Sequence, residues 1–342
     1  MTVRACTLLS LILAGCGLDV AEEQWHGQKI PDQPTNEVLE AARADFARED
    51  YDRVVDFCQY IAETRPEARE LDEARLLAAD ALLAQGEPYK SFQQLKLLIE
   101  ERPFSQHRPE VEEREFQIGV TLFQDEPGFF GDAFTERGHG VDVLTHFATT
   151  FARNPNADDA LRLAASYYFD KREWALAIDQ YGRLYNEHPD SEWRELAHYR
   201  IGLCHSRWVP GSDYDRTHML MARQAFRSYL DQHPDGNFKN EVTQELGDVE
   251  ERLARKELDT ARFYVLRGSK LGARLHLTNA VLAYPSTPSA AQARALLDEF
   301  GFDLSVSSLD TLELKGRSFT DPLQHVPDEP VKKKGAEGAY GE

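Results

Sequence analysis

The sequence predicts an all-α protein, a right-handed solenoid of about six helical hairpins followed by a closing helix. Apolar residues recur at three- and four-residue steps, which is the period of amphipathic helices. Six helical stretches end at a residue followed by proline, which cannot continue a helix. These six stops are Arg65-Pro66, Arg102-Pro103, Asn154-Pro155, His188-Pro189, His233-Pro234 and Tyr284-Pro285. The intervals between the prolines are 37, 52, 34, 45 and 51 residues. The shortest equals the tetratricopeptide period, and insertions would account for the others.

The internal pattern of the hairpins supports this period. In tetratricopeptide hairpins, helix A carries a large, two small and a large residue, and helix B a small and two large residues. The fourth hairpin supplies them as Leu161, Ala164, Ala165, Tyr168, Ala177, Tyr181 and Leu184. Parts of the scheme recur as Val38, Ala41, Ala42, Val54, Cys58 and Ile61; Ala78, Ala79, Leu82, Ser91, Leu95 and Leu98; Ile118-Gly119; Ile201-Gly202; and Ala261, Tyr264, Ala273 and Leu277. A generic helical bundle is the alternative.

The chain is predicted to have four segments. Residues 1–15 have the short positive start and short apolar run of a secretory signal peptide, although a buried first helix is the alternative. Cys16 follows small residues as in a bacterial lipobox, and that resemblance implies cleavage and acylation of Cys16. Residues 16–36 would be a flexible tether, 37–301 the solenoid and 302–342 a mostly disordered tail. Within the solenoid, the Gly- and Pro-rich segments 127–140 and 210–217 are predicted loops between helices A and B.

Composition excludes one class of partner. The net charge is −20, which disfavours nucleic-acid binding, since that needs a basic surface. The two cysteines other than Cys6 and Cys16 are Cys58 and Cys204, which lie on apolar helix faces far apart in sequence. They are predicted to be buried free thiols rather than a disulfide.

The chain resembles the BamD family of outer-membrane β-barrel assembly lipoproteins. The most specific stretch runs from Glu251 to Tyr264, through Arg267-Gly268, to the Tyr-Pro-Ser-Thr run at 284–287. The insert Gly-Phe-Phe-Gly at 128–131 also resembles a loop of that family. Two features depart from the family: there are six hairpins rather than about five, and His276 lies near a position where an arginine is common. The resemblance covers roughly residues 36–301.

The resemblance implies a non-catalytic scaffold. Its partners would be a BamA-like barrel insertase, other assembly lipoproteins and unfolded β-barrel precursors, with the membrane reached through the lipid anchor. The body would face the periplasm from the outer membrane, and Gly17 is consistent with this, because an aspartate there is the usual inner-membrane retention signal. Precursors would bind the N-terminal hairpins, and the insertase the 240–290 region. Arg267, Arg274 and His276 are the candidate insertase contacts.

The sequence has no recognisable catalytic constellation, so no enzyme activity and no cofactor are predicted. There is no phosphate loop, His-Glu-x-x-His motif or paired-cysteine spacing. His139 and His146 lie seven residues apart, with His139 placed in the glycine-rich loop. Ordinary surface or packed histidines are favoured there over a metal site.

Two sets of apolar residues are candidate binding surfaces. Residues seven apart on helix A can share one face, because seven residues make about two turns. The candidate client groove consists of Leu39, Phe46, Leu76, Leu83, Phe116 and Phe123. Burial of these side chains by the curvature of the superhelix is an equal alternative. The candidate partner loop carries Phe129, Phe130 and Phe134, which could instead fold back on the solenoid.

Two other functions remain possible from the sequence. One is a different tetratricopeptide lipoprotein that coordinates envelope or cell-wall processes. The other is a solenoidal cell-wall hydrolase, which would need a compact catalytic unit after the solenoid. The tail of about forty residues is too short for such a unit.

Overall fold

A computed structural model describes residues 24–25, 28–29, 33–124, 136–208 and 216–302. The elements are two short strands, β1 (Gln24–Trp25) and β2 (Gln28–Lys29), and thirteen helices in the described residues. The helices are α1 (Thr35–Phe46), α2 (Tyr51–Thr64), α3 (Leu71–Ala84), α4 (Pro88–Glu101), α5 (Arg108–Gln124), α6 (Glu136–Thr150), α7 (Ala157–Asp170), α8 (Trp174–Glu187), α9 (Arg194–Arg207), α10 (Thr217–Gln232), α11 (Lys239–Leu266), α12 (Lys270–Ala283) and α13 (Pro288–Glu299). The predicted all-α, tetratricopeptide-type fold is confirmed. The strands pair antiparallel, with Gln24 opposite Lys29.

The chain forms two compact units, residues 1–249 and 250–342, and the boundary falls inside α11. In the first unit each helix from α1 to α9 packs on the next one along the chain. In the second unit α12 packs on α13. The second unit has its own core of Leu258, Ala261, Leu277, Ala280, Val281, Ala293 and Leu297. Among the described residues, no helix combines the length and apolar composition that crossing a membrane requires.

Five of the six proline stops fall where the sequence predicts them, whereas α6 ends at Thr150, four residues before Asn154. Helices α2, α4, α8, α10 and α12 each end one residue before the residue that precedes proline. These preceding residues leave the helical region, with φ between −122° and −137° and ψ between 50° and 71°. The ring of the following proline clashes with a helical residue before it, which explains the uniform exit.

The small and large positions of the hairpins form the core. In the fourth hairpin Leu161, Ala164, Ala165 and Ala177 are fully buried, while Tyr168 is half-buried. Small residues are needed where helix A meets helix B. A β-carbon at Gly202 would collide with the ring of Phe226. Cys58 and Cys204 are buried free thiols, as predicted.

One loop boundary was wrong. The sequence places residues 127–140 between two helices, but α6 begins at Glu136. Gly138, His139 and Gly140 therefore lie in the first turns of α6 rather than in a loop. The close contact between α5 and α6 explains why position 140 is a glycine. A β-carbon at Gly140 would lie 2.5 Å from the backbone nitrogen of Phe123, near the end of α5.

Several helices end in a Schellman motif, with a residue of positive φ after the helix. At the end of α13 the Phe302 N–H donates to the Leu297 carbonyl (2.8 Å) and the Gly301 N–H to the Asp298 carbonyl (3.1 Å). Gly301 has a φ of 65°. The same pair of bonds ends α3 at Gly86 and α11 at Gly268. It also ends α1 and α7, where non-glycine residues, Glu49 and Arg172, occupy the left-handed position.

Candidate protein-binding surfaces

Leu39 and Leu76, two members of the candidate client groove, lie in the packed interior. Leu39 is 2% exposed and belongs to the core of the first two hairpins, and Leu76 is 5% exposed. Their assignment to an accessible groove was wrong. The position after the first large residue of helix A faces the neighbouring helices here, so the helix stack covers it.

The other four members of that set keep part of their surface. Leu83 is 37% exposed, and the three phenylalanines are half-buried. Phe46 meets Tyr51 edge-on at 5.4 Å between ring centroids, and Phe116 packs on Phe147 at 5.3 Å. The Arg137 guanidinium lies 4.6 Å from the centre of the Phe123 ring. Each ring therefore packs against a neighbouring side chain while part of its surface stays exposed.

Four other predicted site residues lie outside the described residues. They are Cys16, the predicted lipidation site, and Phe129, Phe130 and Phe134 of the candidate partner loop. Their roles stay predictions.

His139 and His146 take part in an aromatic ladder between α4 and α6. The His139 ring stacks on Tyr89 at 3.9 Å, and the His146 ring meets Phe92 edge-on at 5.3 Å. In the described part of the chain, no group of three or more His, Cys, Asp or Glu side chains could hold a metal ion.

Buried polar side chains, which were not predicted from the sequence, fill the first large position of helix A in four hairpins. This position lies three residues before the pair of small residues, and Val38 and Leu161 occupy it in the first and fourth hairpins. The other four occupants are Arg75, Glu115, His198 and Glu257, exposed by 7%, 0%, 6% and 2%. The repeat spacing could have located them, because each stands at a position that the pattern reserves for the core.

Three of these four residues are paired with a side chain of helix B. Nη2 of Arg75 donates to both carboxylate oxygens of Glu101 at 2.7 Å. Nδ1 of His146 lies 2.6 Å from Oε1 of Glu115, and Nδ1 of His276 lies 2.6 Å from Oε2 of Glu257. Buried charges need such partners, because an isolated one is strongly penalised in the interior.

Burial changes the titration of several interior groups. It raises the pKa of Glu115, although hydrogen bonding to His146 opposes the shift. Burial, reinforced by the neighbouring His233 and Arg194, lowers the pKa of His198 to about 4. Burial also raises the pKa of both Cys58 and Cys204 to about 12. These thiols are therefore poor nucleophiles at neutral pH.

The candidate insertase contacts lie in the second unit, in two different settings. Arg267 is exposed and its guanidinium lies 5.3 Å from the centre of the Phe263 ring, while Arg274 is half-buried. His276 is hydrogen-bonded to buried Glu257 and stacks on Tyr264 at 5.4 Å. His276 therefore helps to pack α12 on α11, and Arg267 is the more accessible of the three.

The second unit also exposes a large share of apolar surface. Seven of the thirteen exposed large apolar side chains among the described residues belong to it. Three of them, Leu271, Leu275 and Leu282, follow helical spacing along one face of α12 and are 43%, 38% and 67% exposed. Between Thr260 and Leu297 the sequence has five basic residues and no acidic one, in a chain of net charge −20. This surface is therefore apolar and basic.

Comparisons with known proteins bear on the same part of the chain. Residues 138–305 match the family model described as YfiO: Outer membrane lipoprotein. The resemblance to the BamD family is confirmed for this part of the chain. The match covers α6 to α13 and includes Arg267, Arg274 and His276, whereas the candidate client groove precedes it.

Individual relatives agree with the family match. The chain is 25% identical over 145 residues to the outer membrane protein assembly factor BamD of Neisseria meningitidis serogroup B, covering 39% of this chain and 53% of the relative. It is 21% identical over 141 residues to the BamD of Caulobacter vibrioides, covering 40% and 46%. The chain thus spans about half the length of the curated relatives it matches.

Among solved structures, a tetratricopeptide repeat protein from Parabacteroides merdae is similar at 10% identity, with 77% of this chain and 97% of that chain covered and a TM-score of 0.27. PilF of Pseudomonas aeruginosa is similar at 11% identity, with 77% and 97% covered and a TM-score of 0.26.

Proposed function

We propose that this chain is a non-catalytic, lipid-anchored periplasmic scaffold in outer-membrane protein assembly. It binds a BamA-like barrel insertase and other assembly lipoproteins, and it receives segments of unfolded β-barrel precursors. The observation that carries the proposal is the BamD-like match over residues 138–305. An all-helical repeat array suits this role, because solenoids present extended surfaces to partners.

The insertase surface is assigned to the second unit, where apolar and basic side chains lie together. Exposed apolar patches often mark protein interfaces, and arginine and aromatic residues dominate their binding energy. Phe263 is 50% exposed beside the guanidinium of Arg267, and Leu275 adds an exposed apolar group on α12. This combination suits a partner surface that is apolar with acidic groups at its edge.

Crosslinking in intact cells, with photoreactive residues in each half of the chain, tests this assignment. Capture of a large β-barrel protein from positions near Leu275 would support it. The variant Arg267→Glu with Leu275→Asp should reduce the capture at least tenfold. The matched control Arg294→Glu changes an exposed arginine on α13 and should leave capture intact. Equal capture by both variants would remove the surface from the proposal.

The client surface is assigned to Phe46, Leu83, Phe116 and Phe123 in the first three hairpins. The half-buried rings would bind apolar side chains of an extended precursor segment, as apolar grooves bind the anchoring side chains of peptides. Phe46→Ala together with Phe123→Ala should weaken binding of barrel-derived peptides while helix content is retained. Leu97→Ala, which truncates an exposed apolar side chain on α4, is the control. Unchanged peptide affinity in the double variant would contradict the assignment.

The anchor rests on Cys16. Acyl chains on one cysteine can hold a folded body at a bilayer, since two or more chains give stable attachment. Cys16→Ala should leave a folded protein that no longer sediments with membranes. Continued sedimentation of this variant would count against lipidation.

The alternative is a tetratricopeptide lipoprotein that acts as an adaptor in cell-envelope or cell-wall coordination. The observation in its favour is that residues 1–137, with the first two hairpins and α5, precede the matched region. Co-purification separates the two functions: a barrel partner with POTRA-type domains supports the assembly role, and cell-wall proteins alone support the adaptor.

A further inference from the structure

An open apolar groove lies between the end of α11 and α13 in the second unit. It has a volume of about 460 Å³ and is lined by Val265 and Leu266 of α11 and by Ala295, Leu296 and Phe300 from the α13 side. Nη2 of Arg262 donates to Oε1 of Gln292 across its edge at 3.1 Å. Leu266 is 87% exposed, which is unusual for a large apolar side chain beside a groove. Such a surface is stabilised when a second apolar element covers it.

The chain leaves α13 at this groove. The Schellman motif at Gly301 reverses the backbone, and Phe302 then packs against the core of the second unit together with Leu296. The rings of Phe300 and Phe302 are 5.9 Å apart. A chain advances at most about 3.5 Å per residue, so Leu304 must follow within about 7 Å of Phe302. The residues that come next are therefore tethered beside the groove.

The segment that follows has the complementary composition. Residues 303–314 contain five large apolar residues and three acidic ones, with no basic residue. The apolar residues are Leu304, Val306, Leu309, Leu312 and Leu314, and the acidic ones are Asp303, Asp310 and Glu313. Arg262 is the one charged side chain among the residues that line the groove, and its Nη1 also donates to Oδ1 of Asp259 at 3.1 Å.

The geometry points to residues 303–314 as the occupant of the α11–α13 groove. Their apolar side chains cover Leu266, Leu296 and Phe300, while one of their carboxylates reaches Arg262 at the edge of the groove. The tether strengthens the interaction, since a short linker gives an effective concentration in the millimolar range. A free peptide with a Kd of about 0.1 mM would thus correspond to an attached segment that is bound most of the time. The residues that line the groove do not include Phe263, Arg267 or Leu275, which are assigned to the insertase, so this inference does not depend on the proposed function.

Photo-crosslinking in the purified full-length chain tests the inference. Benzoylphenylalanine is placed at Leu266 or Phe300, and at Leu282 on α12 as the control. Mixing chains labelled with ¹⁴N and ¹⁵N separates crosslinks within a chain from those between chains. We expect intramolecular crosslinks from positions 266 and 300 to residues 304–314, and at least tenfold fewer from position 282. Crosslinks between chains would overturn the inference in favour of a second copy, and absence of crosslinks to 304–314 would overturn it outright.

Tail variants provide the second measurement. Leu309→Asp with Leu312→Asp should lower the crosslinking yield from position 266 at least tenfold. It should also speed amide hydrogen exchange in the last turn of α11 and in α13, because the cover is lost. Phe319→Asp with Leu323→Asp makes the same chemical change farther along the tail and should alter neither readout. Equal exchange and crosslinking in both variants would show that residues 303–314 do not cover the groove.

Discussion

The first large position of helix A holds Leu161 in the fourth hairpin and Glu115 in the third, and both side chains are fully buried. Leu161 contributes apolar area to the core. Glu115 instead needs His146, 2.6 Å away on helix B, and its Oε2 has no hydrogen-bond partner among the described residues. The repeat therefore accepts either an apolar or a polar side chain at this position. A hairpin with a polar side chain there depends on a specific hydrogen-bonding partner.

The stability of the third hairpin therefore depends on both Glu115 and His146. Apolar burial stabilises in proportion to area, whereas breaking a buried pair leaves an uncompensated charge. The same contrast separates Arg75, His198 and Glu257 from Val38. A partner-specific core can also fix which helix A packs on which helix B.

We predict that His146→Ala has the largest effect. It should destabilise the protein by about 4 kcal/mol at pH 7, because Glu115 is left buried without its partner. The loss should be smaller at pH 5. Burial already raises the pKa of Glu115, and removing His146 raises it further, so the folded state gains stability as the pH falls and this carboxylate takes up a proton. Urea denaturation at both pH values measures the change.

Two further variants separate the polar occupant of this position from the apolar one. Glu115→Leu combined with His146→Leu should recover stability to within about 1 kcal/mol of the natural chain, since a well-packed apolar pair can replace a buried hydrogen-bonded pair. Leu161→Ala should cost about 3 kcal/mol equally at pH 5 and pH 7, because it creates a cavity without a titrating group. A pH-independent loss in His146→Ala would contradict the charge-based explanation.

The sequence predicts the scaffold better than its interior chemistry. Proline stops and the Ala164-Ala165 type of small pair locate the hairpins, because these residues impose local geometry wherever they occur. The occupants of the first large position are different, since Glu115 or Arg75 on a helix is usually solvated. Only the three-dimensional stack shows that Glu101 and His146 lie close enough to pair with them.

The exposure of the candidate binding surfaces could not be predicted from the sequence either. Residues seven apart share a face of one helix, but the neighbouring hairpins decide whether that face is open. Leu76 and Leu83 lie on one face of α3 and differ in exposure, at 5% and 37%, because the adjacent helices cover only the first. The apolar, basic surface of the second unit was missed because the net charge of −20 conceals a stretch without acidic residues.

The next prediction concerns His198, the occupant of the same position in the fifth hairpin. Its ring lies 5.6 Å from both Tyr229 and His233, and its pKa is lowered from 6.5 to about 4 by burial, reinforced by His233 and Arg194. Because the folded-state pKa is the lower one, the unfolded chain takes up the proton first. Stability from this residue is therefore present above about pH 6.5 and is lost as the pH falls toward 4.

Between pH 7 and pH 5 this residue should account for a loss of roughly 2 kcal/mol. His198→Leu, which introduces the residue type of the fourth hairpin, should remove that part of the pH dependence. His107→Gln, at a half-buried histidine between hairpins, is the control. Thermal unfolding followed at pH 7, 6 and 5 compares the three proteins, and an unchanged slope in His198→Leu would disprove the assignment.

The smallest effect concerns the end of helix A in the fourth hairpin. Arg172 has a φ of 61°, whereas the second hairpin places Gly86 at the equivalent turn with a φ of 77°. A left-handed conformation costs a non-glycine residue roughly 1–2 kcal/mol, and the extra freedom of glycine in the unfolded chain offsets about 0.5–1 kcal/mol of any gain. Arg172→Gly should therefore stabilise the protein by about 0.5 kcal/mol.

Gly86→Ala, where a β-carbon would meet nothing within 4 Å, should destabilise by a similar amount for backbone reasons alone. If both variants destabilise, the Arg172 side chain itself must stabilise the turn, and the fourth hairpin would depend on a side-chain contact there as the third does in its core.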